Sequence, residues 1–111
     1  MDPKLIYATS KVLSHKIIWD KNSIDSEWIF INDHDQVQKK IVEENINKHF
    51  QENNLYVSFT RTNSFETKKQ NVIERISDIM GFENFFIWDL HFKRVIEFNK
   101  IGVIRKGEIH H

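Results

Sequence analysis

The spacing of apolar residues predicts a helix at the start of the chain. Asp2 followed by Pro3 is typical of an N-cap with proline in the first helical turn, and helical periodicity continues over residues 3–14. One face of this predicted helix carries Leu5, Thr9, Val12, Leu13 and Lys16. An early strand is the alternative, because Ile6 and Tyr7 suit either structure.

A second helix is predicted to begin within residues 32–35, which contain residue types that cap helices, and to end near Asn53. Its apolar side holds Val37, Ile41, Val42, Ile46 and Phe50. Asp33, His34 and Asp35 in the same segment are also residue types that bind divalent metals. Because capping explains both aspartates without a ligand, we predict no metal site here.

A third helix is predicted after Asn63, which serves as its N-cap with Glu66 as the capping-box partner. The apolar stripe of this helix comprises Phe65, Val72, Ile73, Ile76, Ile79 and Met80. Gly81 is placed for a left-handed C-cap, and Phe82 is then placed to pack back on Ile76.

Six apolar-rich runs predict strands, over residues 15–19, 27–31, 55–61, 85–89, 92–98 and 101–105. The first two could pair as a hairpin, and 27–31 is apolar enough to be covered on both faces. Alternation in the third places Leu55 and Val57 on one face and Tyr56 on the other. The element order predicts one α+β domain over residues 1–111, a mostly antiparallel sheet of about 5–6 strands with two or three helices packed on one face.

Composition narrows the class of protein. The chain is 40% apolar with one proline, which is enough to fold a core, and it has no cysteine, which excludes disulfides, thiol nucleophiles and thiolate metal sites. Sixteen basic and sixteen acidic residues balance, which argues against non-specific nucleic-acid binding. The sequence shows neither an apolar run that could span a membrane nor a signal peptide, so we expect a cytoplasmic protein that does not act at membranes.

Asp89, His91 and Arg94 form the strongest candidate for catalysis. Asp89 and His91 stand two residues apart, so in a strand they share a face, and Arg94 could lie across a tight hairpin. Together they suit phosphodiester chemistry, with His91 as the acid or base, Asp89 orienting it and Arg94 holding negative charge. The alternative is a hairpin with an ordinary surface ion pair.

Other candidates concern binding. Exposed aromatic and arginine side chains are typical interface anchors, and the candidates here are Tyr56, Trp88, Arg94 and Arg61. The segment 61–64 could also bind an anion at a helix N-terminus, but a polar capping loop is the favoured interpretation. The basic pairs are interpreted as solvated faces, with a weak nucleic-acid patch near Phe92 and Arg105. The terminal His110 and His111 are interpreted as a weak metal site or a tag.

These observations favour a protein-binding domain that needs no cofactor. A small, neutral, cysteine-free α+β domain, rich in Ile, Asn, Lys and Phe, whose codons are A/T-rich, fits a bacterial inhibitor, such as an immunity protein that neutralises a cognate toxin. The alternatives are a small enzyme acting on phosphodiesters or nucleic acid through Asp89, His91 and Arg94, and a structural homo-oligomer that pairs through a sheet edge.

Overall fold

The computed structural model describes residues 1–24, 26–33, 36–80 and 83–110. Three helices of eleven residues each occur in these segments: α1 (Pro3–Leu13), α2 (Lys39–His49) and α3 (Lys69–Ile79). A short 3₁₀ turn over Ser14–Lys16 follows α1. The α+β class predicted from the sequence is confirmed.

Seven strands form one antiparallel sheet. Their bounds are β1 (Ile18–Trp19), β2 (Ile29–Phe30), β5 (Asn54–Ser58), β6 (Phe65–Lys68), β7 (Phe85–Trp88), β8 (Arg94–Asn99) and β9 (Val103–Glu108). The order across the sheet is β1-β9-β8-β7-β5-β6, and β2 also pairs with β9. A separate two-stranded sheet joins β3 (Asn32–Asp33) to β4 (Gln36–Val37). The main sheet therefore has more strands than the five or six predicted.

The main core lies between α2, α3 and one face of the sheet. Strand residues of this face pair in register, with Val57 opposite Ile87 and Ile87 opposite Ile96. From the helices, Val42, Ile46, Val72, Ile73 and Ile76 pack against them. Phe85 and Phe98 stack in the same core with ring centroids 4.7 Å apart. These two helices thus share one face of the sheet, as the sequence predicts.

A smaller core covers the opposite face beneath α1. Ile6 is fully buried there against Tyr56, Trp88 and Val95. The indole Nε1 of Trp88 donates a hydrogen bond of 2.8 Å to Ser10 Oγ, so both polar atoms are satisfied inside this core. The expected polar face of the 55–61 run is therefore wrong at Tyr56, which is only 8% exposed because α1 lies over it.

The bounds of α1 are close to the prediction, but the helix is rotated differently about its axis than the apolar spacing suggested. Asp2 caps the helix by accepting hydrogen bonds from the backbone N–H groups of Lys4 and Leu5. Two residues of the predicted apolar face point outward, Leu5 at 53% and Val12 at 64% exposure, while Leu13 of the same face packs against the small core. The buried side instead carries Ile6 and Ser10, because the Trp88 contact fixes the rotation of the helix.

The predicted start of the third helix is wrong. Residues 65–68 form the edge strand β6, in which Phe65 pairs with Val57 and Glu66 with Tyr56. Glu66 accepts a hydrogen bond from the side chain of Asn54 instead of completing a capping box. The helix begins only at Lys69. The predicted cap at Gly81 and Phe82 lies outside the described residues.

Three further expectations fail around the short strands. β1 and β2 do not pair as a hairpin, because both pair with β9, Trp19 opposite Gly107 and Ile29 opposite Ile104. The run 27–31 is not covered on both faces, since Phe30 is 77% exposed. The second helix begins at Lys39, after β3 and β4, instead of within 32–35.

Candidate functional site

The tight turn between β7 and β8 is closed by Asp89. This residue is 3% exposed, and its Oδ1 accepts hydrogen bonds from the backbone N–H groups of Lys93 (2.7 Å) and Arg94 (2.8 Å). The turn is tight enough to place Phe92 at a φ of 53°, in the left-handed region. The carboxylate that was expected to orient a histidine therefore stabilises the turn.

A shallow cleft of about 250 Å³ opens beside this turn. Its walls include the three predicted catalytic residues, together with side chains from the end of α2 and the loop after it: His49, Gln51, Glu52, Asp89, His91, Lys93 and Arg94. Arg94 does not point at Asp89, because its Nη1 donates to the backbone oxygen of His49 at 3.1 Å. The three residues thus share one cleft, but no hydrogen bond joins their side chains.

His49, which sequence reasoning missed, is the partly buried histidine of this cleft. Its Nε2 lies 2.9 Å from the backbone oxygen of Gly107. Burial lowers the pKa of His49 below its ordinary value of 6.5, and the hydrogen bond to Gly107 opposes this only in part. The neutral ring, donating from Nε2, therefore fixes the end of α2 against β9. No sequence signal distinguished it from the other histidines.

A second cluster surrounds Arg105, on the sheet face that also carries α1. The guanidinium carbon lies 3.9 Å from the ring centroid of Trp19 and 4.5 Å from that of Trp28. Its nitrogens contact Glu97 at 2.8 Å and Glu27 at 3.0 Å. Because both carboxylates already pair with this guanidinium, Arg105 does not fit the nucleic-acid patch suggested by the sequence.

Apolar side chains continue this cluster to the end of the sheet. Phe30 is 77% exposed and pairs with Val103, next to the turn in which Ile101 is 74% exposed. We call the surface formed by Trp19, Glu27, Trp28, Phe30 and Arg105 the Arg105 face. Its members come from three separate segments of the chain, so the only local signal was alternation in β9, which places Arg105 and Val103 on one side.

Of the four predicted binding anchors, two are buried and two are exposed. Tyr56 and Trp88 are buried, at 8% and 0% exposure, so neither is available on the surface. Arg94 and Arg61 are exposed. The loop of Arg61 joins two strands and not a strand to a helix, which removes the expected anion site at a helix N-terminus. This loop is held by Ser64 Oγ, which donates to the backbone oxygen of Thr60 at 2.6 Å.

One apolar groove lies between α3 and the outer strands β5 and β6. It encloses about 230 Å³, and its walls are Val57, Phe59, Asn63, Phe65, Thr67, Asn71, Val72, Arg75 and Ile79. Phe65, at 38% exposure, forms its outer lip. The groove runs along an edge strand, where backbone groups are open to further pairing.

The candidate metal ligands His34 and Asp35 lie outside the described residues. Within residues 1–24, 26–33, 36–80 and 83–110, no group of three side chains is placed to bind a metal ion. Among the described helices, each is too short or too polar to cross a membrane. Comparison with protein-family models, curated proteins and solved structures found no match.

Proposed function

We propose that this chain is a protein-binding domain that acts by surface complementarity. The observation that carries the proposal is the Arg105 face, where aromatic side chains and an arginine are held rigidly beside an exposed phenylalanine. Tryptophan, tyrosine and arginine are the residues most often found as binding hot spots. Exposing Phe30 to water gains nothing for the fold, whereas covering it would stabilise a complex.

The geometry of the face suits recognition because its side chains are already ordered. Arg105 lies between two indole rings and pairs with two carboxylates, so four of its neighbours restrict its rotamers. Side chains that are ordered before binding lose less conformational entropy in the complex. Glu27, at 36% exposure the more open of the two carboxylates, offers a polar rim contact beside the apolar centre.

An inhibitor is the form of binding protein that we propose, an immunity-type domain that blocks a toxin or enzyme. Such a protein needs only a complementary surface, which agrees with the structural role of Asp89 in its turn. To test this, the tagged chain is used to capture its partner from the native source. The purified partner's activity is then measured with and without the domain. We expect a stoichiometric complex in which the partner's activity is suppressed.

The variant Phe30→Ser tests whether the Arg105 face makes the contact. Its side chain is 77% exposed, so the substitution leaves the core intact. We expect affinity for the partner to fall at least roughly tenfold, as for a hot-spot residue. Ile18→Ser, at 56% exposure on the opposite side of β1 from Trp19, is the matched control. If Phe30→Ser binds and inhibits like the parent chain, the Arg105 face is not the interface.

A phosphodiester-directed enzyme remains the second candidate, because Asp89, His91 and Arg94 line one cleft. In that case His91, which is exposed, would transfer the proton and Arg94 would hold the phosphate. The assay is hydrolysis of a chromogenic phosphodiester by the parent chain and by His91→Ala. Activity that disappears with His91→Ala would favour the enzyme, and equal background rates would dismiss it.

A further inference from the structure

Helix α1 carries an apolar stripe that the fold leaves uncovered. Leu5, Ala8 and Val12 repeat at intervals of three and four residues, so they form one line along the helix. Leu5 is 53% and Val12 64% exposed, while the opposite side of the helix is anchored by Ile6 and Ser10. Met1, at 56% exposure, precedes the stripe. Leu5 and Val12 belong to the face that helical periodicity predicted, and both point away from the core.

Positive charge accompanies the stripe. Lys4 and Lys11 lie along one side of it, and Lys16 follows in the 3₁₀ turn. From Pro3 to Trp19 the chain has no acidic residue, although its total charge is zero, so the excess of positive charge is local. Asp2 precedes the segment, and its carboxylate caps the helix. The outward side of α1 is thus an apolar line bordered by ammonium groups.

We propose that this side of α1 binds an anionic lipid surface, lying flat on it with Leu5 and Val12 at the acyl boundary and the lysines at the phosphates. Amphipathic helices with basic borders bind membranes in this way.

Charge and shape favour lipid over the other occupants of this face. A second copy of the chain packed on the same stripe would bring the lysines of two helices close together, and these like charges would repel. Lys4 and Lys11 lie beside the stripe, and their long side chains can reach anionic headgroups while Leu5 and Val12 contact the acyl boundary. The described helices do not span a membrane, so the contact is peripheral.

The test is flotation of the full chain with lipid vesicles at low salt. One preparation is phosphatidylcholine alone, and the other contains about one part in three of phosphatidylglycerol, which supplies the negative surface potential. We expect binding to the anionic vesicles only, weakening as salt is raised because screening shortens the reach of the charges. Absence of binding to the anionic vesicles overturns the proposal, and so does equal binding to both preparations.

Two variants separate the apolar and the charged contributions. Lys4→Glu/Lys11→Glu is expected to lower affinity more than about 25-fold, since each lysine near the surface contributes roughly a factor of five. Leu5→Ser/Val12→Ser is expected to lower it by a smaller factor without changing the salt dependence. Both leave the buried side of α1 unchanged, and circular dichroism checks that each variant is folded.

The matched control is Lys39→Glu/Lys40→Glu, which makes the same charge change on the exposed part of α2 across the sheet. We expect it to bind vesicles almost as the parent chain does. If it loses as much affinity as the α1 variant, the attraction is a property of net charge and the proposal is wrong. If the α1 variants lose a protein partner while the parent chain ignores vesicles, the face is a protein contact and the lipid proposal is equally overturned.

Discussion

Replacing Asp89 by alanine should cost the fold far more than replacing its neighbour His91. Asp89 is 3% exposed and its Oδ1 accepts two backbone hydrogen bonds, at 2.7 and 2.8 Å, inside a turn that also places Phe92 in the left-handed region. Hydrogen bonds to a charged group contribute about 1.5–3 kcal/mol each, and water can reach part of this turn, so we expect a loss of about 2–4 kcal/mol. For a chain of this size that lowers Tm by roughly 8–16 °C.

The assay is urea unfolding followed by tryptophan fluorescence, which reports Trp88 in the adjacent strand. Asp89→Asn retains one oxygen acceptor and should recover part of the loss, while His91→Ala, an exposed substitution, should change stability by less than about 0.5 kcal/mol. If Asp89→Ala is as stable as His91→Ala, the carboxylate does not hold the turn. Asp89 would then be available for the catalytic role that the sequence suggested.

Three further predictions follow from single contacts, each measured by thermal or urea unfolding. Ser10→Ala leaves the buried Trp88 indole N–H without its 2.8 Å acceptor and should lower the free energy of unfolding by about 1–3 kcal/mol. Ser14→Ala, outside that core, should lower it little, and equal losses in the two variants would contradict this. Gly102→Ala should lower the free energy of unfolding by about 1–3 kcal/mol, because φ is 100° and the new Cβ would meet the Asn32 side chain. An unchanged Tm would show that the turn adapts. Because burial lowers the pKa of His49, the unfolded chain binds the proton more tightly, so stability should fall as pH drops below about 6.5. His49→Gln should flatten this pH dependence, and His15→Gln should leave it unchanged.

The parts of the fold that depend on a few consecutive residues could be predicted from the sequence. The Asp2–Pro3 start of α1 is a signal contained in a few consecutive residues, and the structure has that cap. The strands β7, β8 and β9 are apolar runs separated by short turns, which the sequence shows directly. Their order in the sheet follows from short connections, because consecutive strands joined by tight turns pair with each other.

The failures arise where a distant residue decides the local structure. Phe65–Lys68 has enough helical periodicity to extend α3, but pairing with β5 makes it a strand. The rotation of α1 depends on Trp88, 78 residues from Ser10 in sequence, and nothing near Leu5 reveals that contact. Tyr56 is buried for the same reason, since α1 covers the strand face that alternation alone assigned to polar residues.

The Arg105 face was beyond sequence reasoning for a related reason. Trp19 and Trp28 are separated by a loop, and each meets Arg105 only because β1 and β2 both pair with β9. A charge pattern along the chain shows Arg105 beside Lys106 and suggests a basic patch. In space the guanidinium is paired with Glu27 and Glu97, which reverses that interpretation.

The contacts made by the polar side chains support the proposal of a binding protein. Three polar side chains that could serve catalysis already have partners within the fold. Asp89 accepts two backbone hydrogen bonds, His49 contacts Gly107, and Arg105 pairs with two carboxylates. His91 and Arg94 keep polar atoms exposed at the cleft, whereas Phe30, Leu5 and Val12 leave apolar area exposed on the α1 side of the sheet. An enzyme needs polar groups that are free to meet a reacting atom, whereas a binding protein needs apolar area that a partner can remove from water. The sheet face shared by α1 and the Arg105 face is therefore where contacts with other molecules should be sought first.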